Sequence, residues 1–194
     1  MMKKAKNFNL AIVGVGGQGL LTLLKILDEA ALIEGKDFKS AEVHGLSQRG
    51  GSVEVYFRMG EEIYSPLICQ GGADLIISLE AQQVLQSLKL ASKKTTFLIN
   101  DFFIPILGRE TPKIEKISEI LRKFSEKIIL IKASEICKKN FKTEVTAGIF
   151  LLGYGISKNL IPLKEASILK AIKKVIPQEY LELNLKAFNL AKSF

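Results

Sequence analysis

The sequence predicts an α/β fold: one domain over residues 1–194, a mainly parallel sheet with helices on both faces, a Rossmann-like start, one β-hairpin and a helical C-terminus. Three observations predict it. Short apolar runs rich in β-branched residues alternate with longer segments whose apolar residues recur at helical spacing, the signature of strands joined by crossover helices. The first run, "FNLAIVGV" (8–15), ends in glycines and opens directly into a helix. The last fifty residues carry helical periodicity throughout, punctuated by Pro162 and Pro177.

Taken in order, "FNLAIVGV" reads as a buried strand, and "GQGLLTLLKILDEAALIEG" (17–35) as a helix that places Leu20, Leu24, Leu27 and Ala31 on one face, with Gly35 to stop it. "DFKSAEV" alternates as a strand into a loop holding the only histidine. "SVEVYFRM" (52–59), the Gly60–Glu61 pair and "EIYSPL" read as a β-hairpin. "ADLIISL" (73–79) is a buried strand and "EAQQVLQSLKLA" (80–91) an amphipathic helix. "TTFLIN" and "IILIKA" continue the strands, "IEKISEILRKFSEK" and "SEICKKN" the helices.

Composition narrows the function. The 28 basic and 20 acidic side chains give a net charge of +8, distributed as 11 against 10 in residues 1–97 and 17 against 10 in residues 98–194. The basic residues comprise 24 lysines but only 4 arginines, and arginine is the usual bidentate reader of phosphates and base edges. With no aromatic–basic interleaving, nucleic acid is not the expected partner; a basic docking surface for an acidic protein is the better use of this half. No unbroken apolar run reaches membrane-spanning length, and the N-terminal apolar stretch is interrupted at Gly16–Gln18 with no small-x-small cleavage site after it. The expectation is a cytoplasmic protein. Cys69 and Cys137 are too few for an iron–sulfur cluster or a structural zinc site and read as reduced core residues.

Two glycine-rich loops stand out. Gly14, Gly16 and Gly19 satisfy G-x-G-x-x-G between strand and helix, the geometry that brings a pyrophosphate to a helix N-terminus. Glu42, 23 residues after Gly19, stands where a ribose-binding acid belongs. A free-standing NAD(P)-binding oxidoreductase is therefore one reading. Against it, only residues 44–51 separate the second strand from the third, too few for a crossover helix. The second loop, "VHGLSQRGG" (43–51), offers His44 as an acid or base, Arg49 as an anion clamp, Gln48 as a hydrogen-bonding amide and Gly50–Gly51 for close backbone approach. A nucleophile elbow, paired carboxylates and a metal-ligand set are all absent from the sequence, so a complete active site is not expected.

Together the loops carry a resemblance. "GVGGQG" (14–19), "SAEVHGLSQRGGSVEVYFRMGEEIYSPLI" (40–68), "GGADLIISLE" (71–80), "GIFLLGYGIS" (148–157), "IPLKEASILKAIKKVIP" (161–177) and Asn184, Ala187 and Phe188 resemble the gamma subunit or domain of the 2-oxoacid:ferredoxin oxidoreductases, nearest the small (beta) subunit of the indolepyruvate branch. The resemblance implies CoA-dependent oxidative decarboxylation of a 2-oxoacid, with ferredoxin as acceptor. It also implies that thiamine diphosphate and the iron–sulfur clusters are carried by a large partner subunit, that this chain binds no metal and is inactive alone, and that ferredoxin is met only indirectly. Gly14, Gly16, Gly17, Gln18 and Gly19 on one loop, and His44, Gln48, Arg49, Gly50 and Gly51 on the other, would then face that partner. An isolated chain with such a face is open to self-association.

Overall fold

A computed structural model describes residues 7–44, with only the backbone at His44, and residues 51–105, 108 and 110–194. Strand β1 (Phe8–Val15) is buried on both faces because its alternate residues feed two cores: Leu10 and Ile12 one, Ala11 and Val13 the other. Helix α1 (Leu20–Ile33) follows, then the antiparallel pair β2 (Asp37–His44) and β3 (Ser52–Gly60). β4 (Leu75–Ser78), a 3₁₀ helix (Ala81–Leu90), β5 (Thr96–Asn100), α2 (Ile114–Arg122) and β6 (Ile128–Ile131) come next. Helices α3 (Ala133–Phe141), α4 (Ala147–Ser157), α5 (Glu165–Val175) and α6 (Gln178–Leu190) complete the chain, with a short 3₁₀ turn after them.

The six strands lie in the order β2-β3-β1-β4-β5-β6. β1, β4, β5 and β6 are parallel, and β3 is antiparallel to both its neighbours. α1 and α3–α6 pack on one face, where Phe57, Phe150 and Phe188 are among the largest buried side chains. The 3₁₀ helix and α2 cover the other face around Phe97 and Ile117. The expected sheet with helices on both faces is thus present, with most of the helical mass on one side.

Three local expectations are corrected. The hairpin is not formed within residues 52–65: both edges of β3 are already occupied, by β1 and β2, so residues 61–67 have no edge to join. They run instead as a strap, held by Arg58 Nη1 donating to the Ser65 and Leu67 carbonyls (2.7 and 3.1 Å) and by the Ile63 N–H donating to Asp37 (2.7 Å). The antiparallel pair of consecutive strands is instead β2–β3. The segment expected as an amphipathic helix is a helix, but of the 3₁₀ rather than the α kind, and its buried residues show why: Ala81, Val84, Ser87 and Leu90 are three apart throughout, the spacing at which 3₁₀ side chains eclipse. Of the two cysteines expected in the core, Cys137 is buried but Cys69 is exposed, on the approach to β4.

Candidate functional site

β1 and β4 are neighbours whose connections leave in opposite directions: β1 sends α1 over one face towards β2, and β4 sends the 3₁₀ helix over the other towards β5. Such a switch point opens a crevice beyond the carboxyl ends of the strands, where open α/β sheets bind ligands. The loop 14–19 stands on it.

Within that loop the backbone does what glycine allows. Gly17 and Gly19 have φ of +102° and +81°, and among the described residues no atom lies within 4 Å of where a Cβ would stand on either; the left-handed conformation by itself favours glycine there. At Gly14 space decides: an added Cβ would lie 2.7 Å from Gln18 Oε1 and 3.2 Å from Leu79 Cβ. Gln18 folds back over that gap. Its Oε1 accepts the Val15 N–H at 2.8 Å, and its Nε2 donates to the Leu79 carbonyl at 3.3 Å. The amide therefore braces its own loop against the end of β4.

The first glycine-rich loop is bonded to Gly51, the last residue of the second. The Gly16 N–H donates to the Gly51 carbonyl at 3.0 Å, tying the end of β1 to the start of β3. Ser52 then bonds Gln86 of the 3₁₀ helix at 2.7 Å, and two residues on, buried Glu54 accepts from the Tyr56 hydroxyl and pairs with Lys89 at 3.6 Å. This carboxylate is the first reason that Tyr56 resists ionisation after burial itself; both push the phenol well above its ordinary value. His44 ends β2, paired in register with Val53. Its side chain, and Gln48, Arg49 and Gly50, lie outside the described residues.

Glu42 is not where a ribose acid would stand. β3 lies between β1 and β2, so Glu42 is two strand spacings from β1, roughly 10 Å, and through Val55 it is level with Ile12 rather than with the loop. It is exposed and engaged in an interaction of its own.

Sequence reasoning missed the far wall of the crevice. Asn100, the last residue of β5, is 1% exposed; its Nδ2 donates to the Leu79 carbonyl (3.0 Å) and to Ser134 Oγ (2.8 Å), while its Oδ1 accepts the Ser134 N–H (3.1 Å). The only signal was an asparagine closing an apolar run, which reads as an ordinary strand end. Glu80, also missed, caps the 3₁₀ helix by accepting the Gln83 N–H at 2.9 Å and takes the Ile104 N–H at 3.3 Å. Burial outweighs these bonds and raises its carboxyl above the ordinary value.

Two cavities flank Gln18. One, about 310 Å³, lies between the N-termini of α1, α4 and α6, with Leu23, Ile149, Tyr180 and Asn184 in its walls. The other, about 430 Å³, lies over β4 and β5 and includes Leu79, Asn100, Phe102 and Ser134. Both share Gln18, Gly148 and Val145, whose side chain is 81% exposed. No described residue lining the first cavity is charged. Among the described residues no cluster of three histidine, cysteine or acidic side chains could hold a metal ion, and no helix is long and apolar enough to cross a membrane.

Fold and site define a Rossmann-like α/β domain in which an antiparallel strand replaces the dinucleotide-binding neighbour of β1. The chain belongs to the pyruvate ferredoxin/flavodoxin oxidoreductase family, whose model matches residues 9–194. It is 36% identical over 187 residues to the indolepyruvate oxidoreductase subunit IorB of Archaeoglobus fulgidus, covering 94% of this chain and 92% of that one. In structure it is similar to the pyruvate oxidoreductase subunit PORC of Thermotoga maritima (TM-score 0.71, 21% identity, 97% and 96% of the two chains). It is also similar to one part of the 2-oxoglutarate:ferredoxin oxidoreductase of Magnetococcus marinus, solved with 2-oxoglutarate, coenzyme A and succinyl-CoA (TM-score 0.71, 20% identity, 97% of this chain and 31% of that one).

Proposed function

We propose that this chain is the small subunit of a 2-oxoacid:ferredoxin oxidoreductase acting on an aryl pyruvate of the indolepyruvate type, inactive by itself and completed by a larger partner. The net reaction joins a 2-oxoacid and coenzyme A, releases carbon dioxide and a proton, and passes two electrons to ferredoxin as the acyl-CoA forms. Near full-length similarity to IorB supports the substrate class, and the match to 31% of a longer oxidoreductase chain supports a larger partner. Two cysteines, one exposed and one buried, do not furnish the four thiolates of a cluster, so the clusters and thiamine diphosphate are assigned to that partner. Thiamine supplies the carbanion stabilisation that decarboxylation needs, and the clusters carry the electrons away. Both cysteines are free thiols, in keeping with a cytoplasmic protein.

This chain's part is to present one surface made of both glycine-rich loops. The observation that supports this is the Gly16–Gly51 hydrogen bond, which ties loop 14–19 to the last residue of the second glycine-rich stretch at the switch point. Gln18 and Asn100 hold loop 14–19 from behind, Gly17 and Gly19 offer exposed backbone, and His44, Gln48 and Arg49 supply polar contacts to the partner near the entrance for coenzyme A. The dinucleotide reading is disfavoured by β3, which stands where the pyrophosphate-binding crossover would place its next parallel strand.

The test is the double variant His44→Ala, Arg49→Ala in the reconstituted complex. Weakened assembly or a raised KM for coenzyme A is expected; assembly and KM both unchanged would sink the assignment.

A further inference from the structure

We propose that Asn100 is a positioning residue of the glycine loop, acting through the Leu79 carbonyl on Gln18. This rests on the reading that the loop faces the partner and coenzyme A. A buried amide at the end of an apolar strand costs desolvation unless its donors and acceptor are all used, and here they are. Its orientation is fixed, because the Ser134 N–H can only donate and so must meet Oδ1, which turns Nδ2 towards Leu79.

The Leu79 carbonyl thus receives two donors, Asn100 at 3.0 Å and Gln18 at 3.3 Å. Of the two, Asn100 is the anchored one: it ends a central strand and is locked to α3, whereas Gln18 belongs to a loop with two left-handed glycines. Where Asn100 sets the carbonyl, Gln18 follows, and with it the loop backbone that Gln18 Oε1 holds at Val15.

Two near-isosteric variants separate this role from simple bracing of α3. Asn100→Asp keeps the acceptor for the Ser134 N–H but turns a second acceptor against the Leu79 carbonyl. Ser134→Ala removes only the hydroxyl and leaves the Asn100–Leu79 bond. In the isolated full chain, Asn100→Asp is expected to shift the amide resonances of Gly16, Gly17 and Gly19, and Ser134→Ala to leave them in place. In the reconstituted complex, Asn100→Asp raises the KM for coenzyme A about five- to ten-fold, the scale of one buried hydrogen bond, with kcat held within about two-fold. Adding Asn100→Asp to Gln18→Ala has little further effect, since both act on one carbonyl. Should Asn100→Asp not fold, Asn100→Ser, which leaves one donor and adds no charge, is read in the same way. Loop resonances that stay put in the Asn100 variant, or move equally in Ser134→Ala, overturn the proposal. Resonances that move while KM is unchanged in both the Asn100 and Gln18 variants uphold the positioning and overturn the placement of the loop beside coenzyme A.

Discussion

Gly16 and Gly51 share a backbone hydrogen bond of 3.0 Å, although 34 residues of chain, including α1 and β2, lie between them. The bond exists because β3 pairs antiparallel with β1, with Val15 opposite Ser52, which brings the start of one strand to the end of the other. A parallel neighbour would have placed its own start at the opposite end of the sheet. The antiparallel intrusion that spoils the dinucleotide fold is therefore what brings Gly51 to the first glycine loop.

The fit between Gly14 and Gln18 predicts a coupled pair. Gly14→Ala drives a methyl into Gln18 Oε1 and is expected to cost about 1–3 kcal/mol, the range for overpacking. Gln18→Ala alone costs about 1 kcal/mol through its lost hydrogen bonds. The double variant should cost less than the sum, since the chief clash has gone. Urea denaturation of the three variants measures this; strict additivity would show that Gln18 does not rest on Gly14.

Gly17→Ala and Gly19→Ala should each destabilise by about 1 kcal/mol, the cost of forcing a side chain into the left-handed region, because no atom of the described residues stands in the way of either methyl. The two costs should agree within measurement error. A much larger loss at one of them would reveal a contact made by the neighbouring loop.

Glu80 gives a pH signature with a definite sign. Burial raises its carboxyl above the ordinary 4.5 despite backbone N–H donors from Gln83, Ile104 and Gln82. Below about pH 4.5 the group is protonated in folded and unfolded chains alike and contributes no pH dependence. As pH rises through 4.5 the unfolded chain ionises first, so the folded state loses stability until Glu80 itself ionises. Glu80→Gln cannot ionise, so the stability difference between variant and wild type should move in the variant's favour as pH climbs above 4.5 and then level off. Melting both proteins across pH 3–7 (roughly the span bracketing that transition) checks the direction; a drift the other way would mean that the N–H donors outweigh burial.

The placement of Glu42 predicts that NADH and NADPH do not bind the isolated chain. With β3 between β1 and β2, the acid and the glycine loop cannot span one ribose and pyrophosphate. Saturable quenching or enhancement of NADH fluorescence on titration would contradict this.

The sequence made the strands and most helices legible because burial on a two-sided sheet leaves short apolar runs, as in "FNLAIVGV" and "ADLIISL". It did not reveal strand order: "SVEVYFRM" looks the same whether its partner is the segment after it or the two strands before it, and only the filling of both its edges excludes residues 61–67. The 3₁₀ helix was hidden for a similar reason, since Leu85 and Leu88 give "AQQVLQSLKL" an α-helical look while the residues actually buried fall every third position. At the site, the glycines were readable because their requirement is local. Asn100 was not, because its meaning lies in Leu79 and Ser134, 21 and 34 residues away.

The central claim, that this chain works as the small subunit of a larger oxidoreductase, is tested most directly by anaerobic pull-down of the tagged chain from its native cells, assayed for bound polypeptides, thiamine and iron. A stoichiometric large partner carrying thiamine diphosphate and iron–sulfur clusters is the predicted result. A cofactor-free monomer or homodimer, recovered without any such partner, would contradict it.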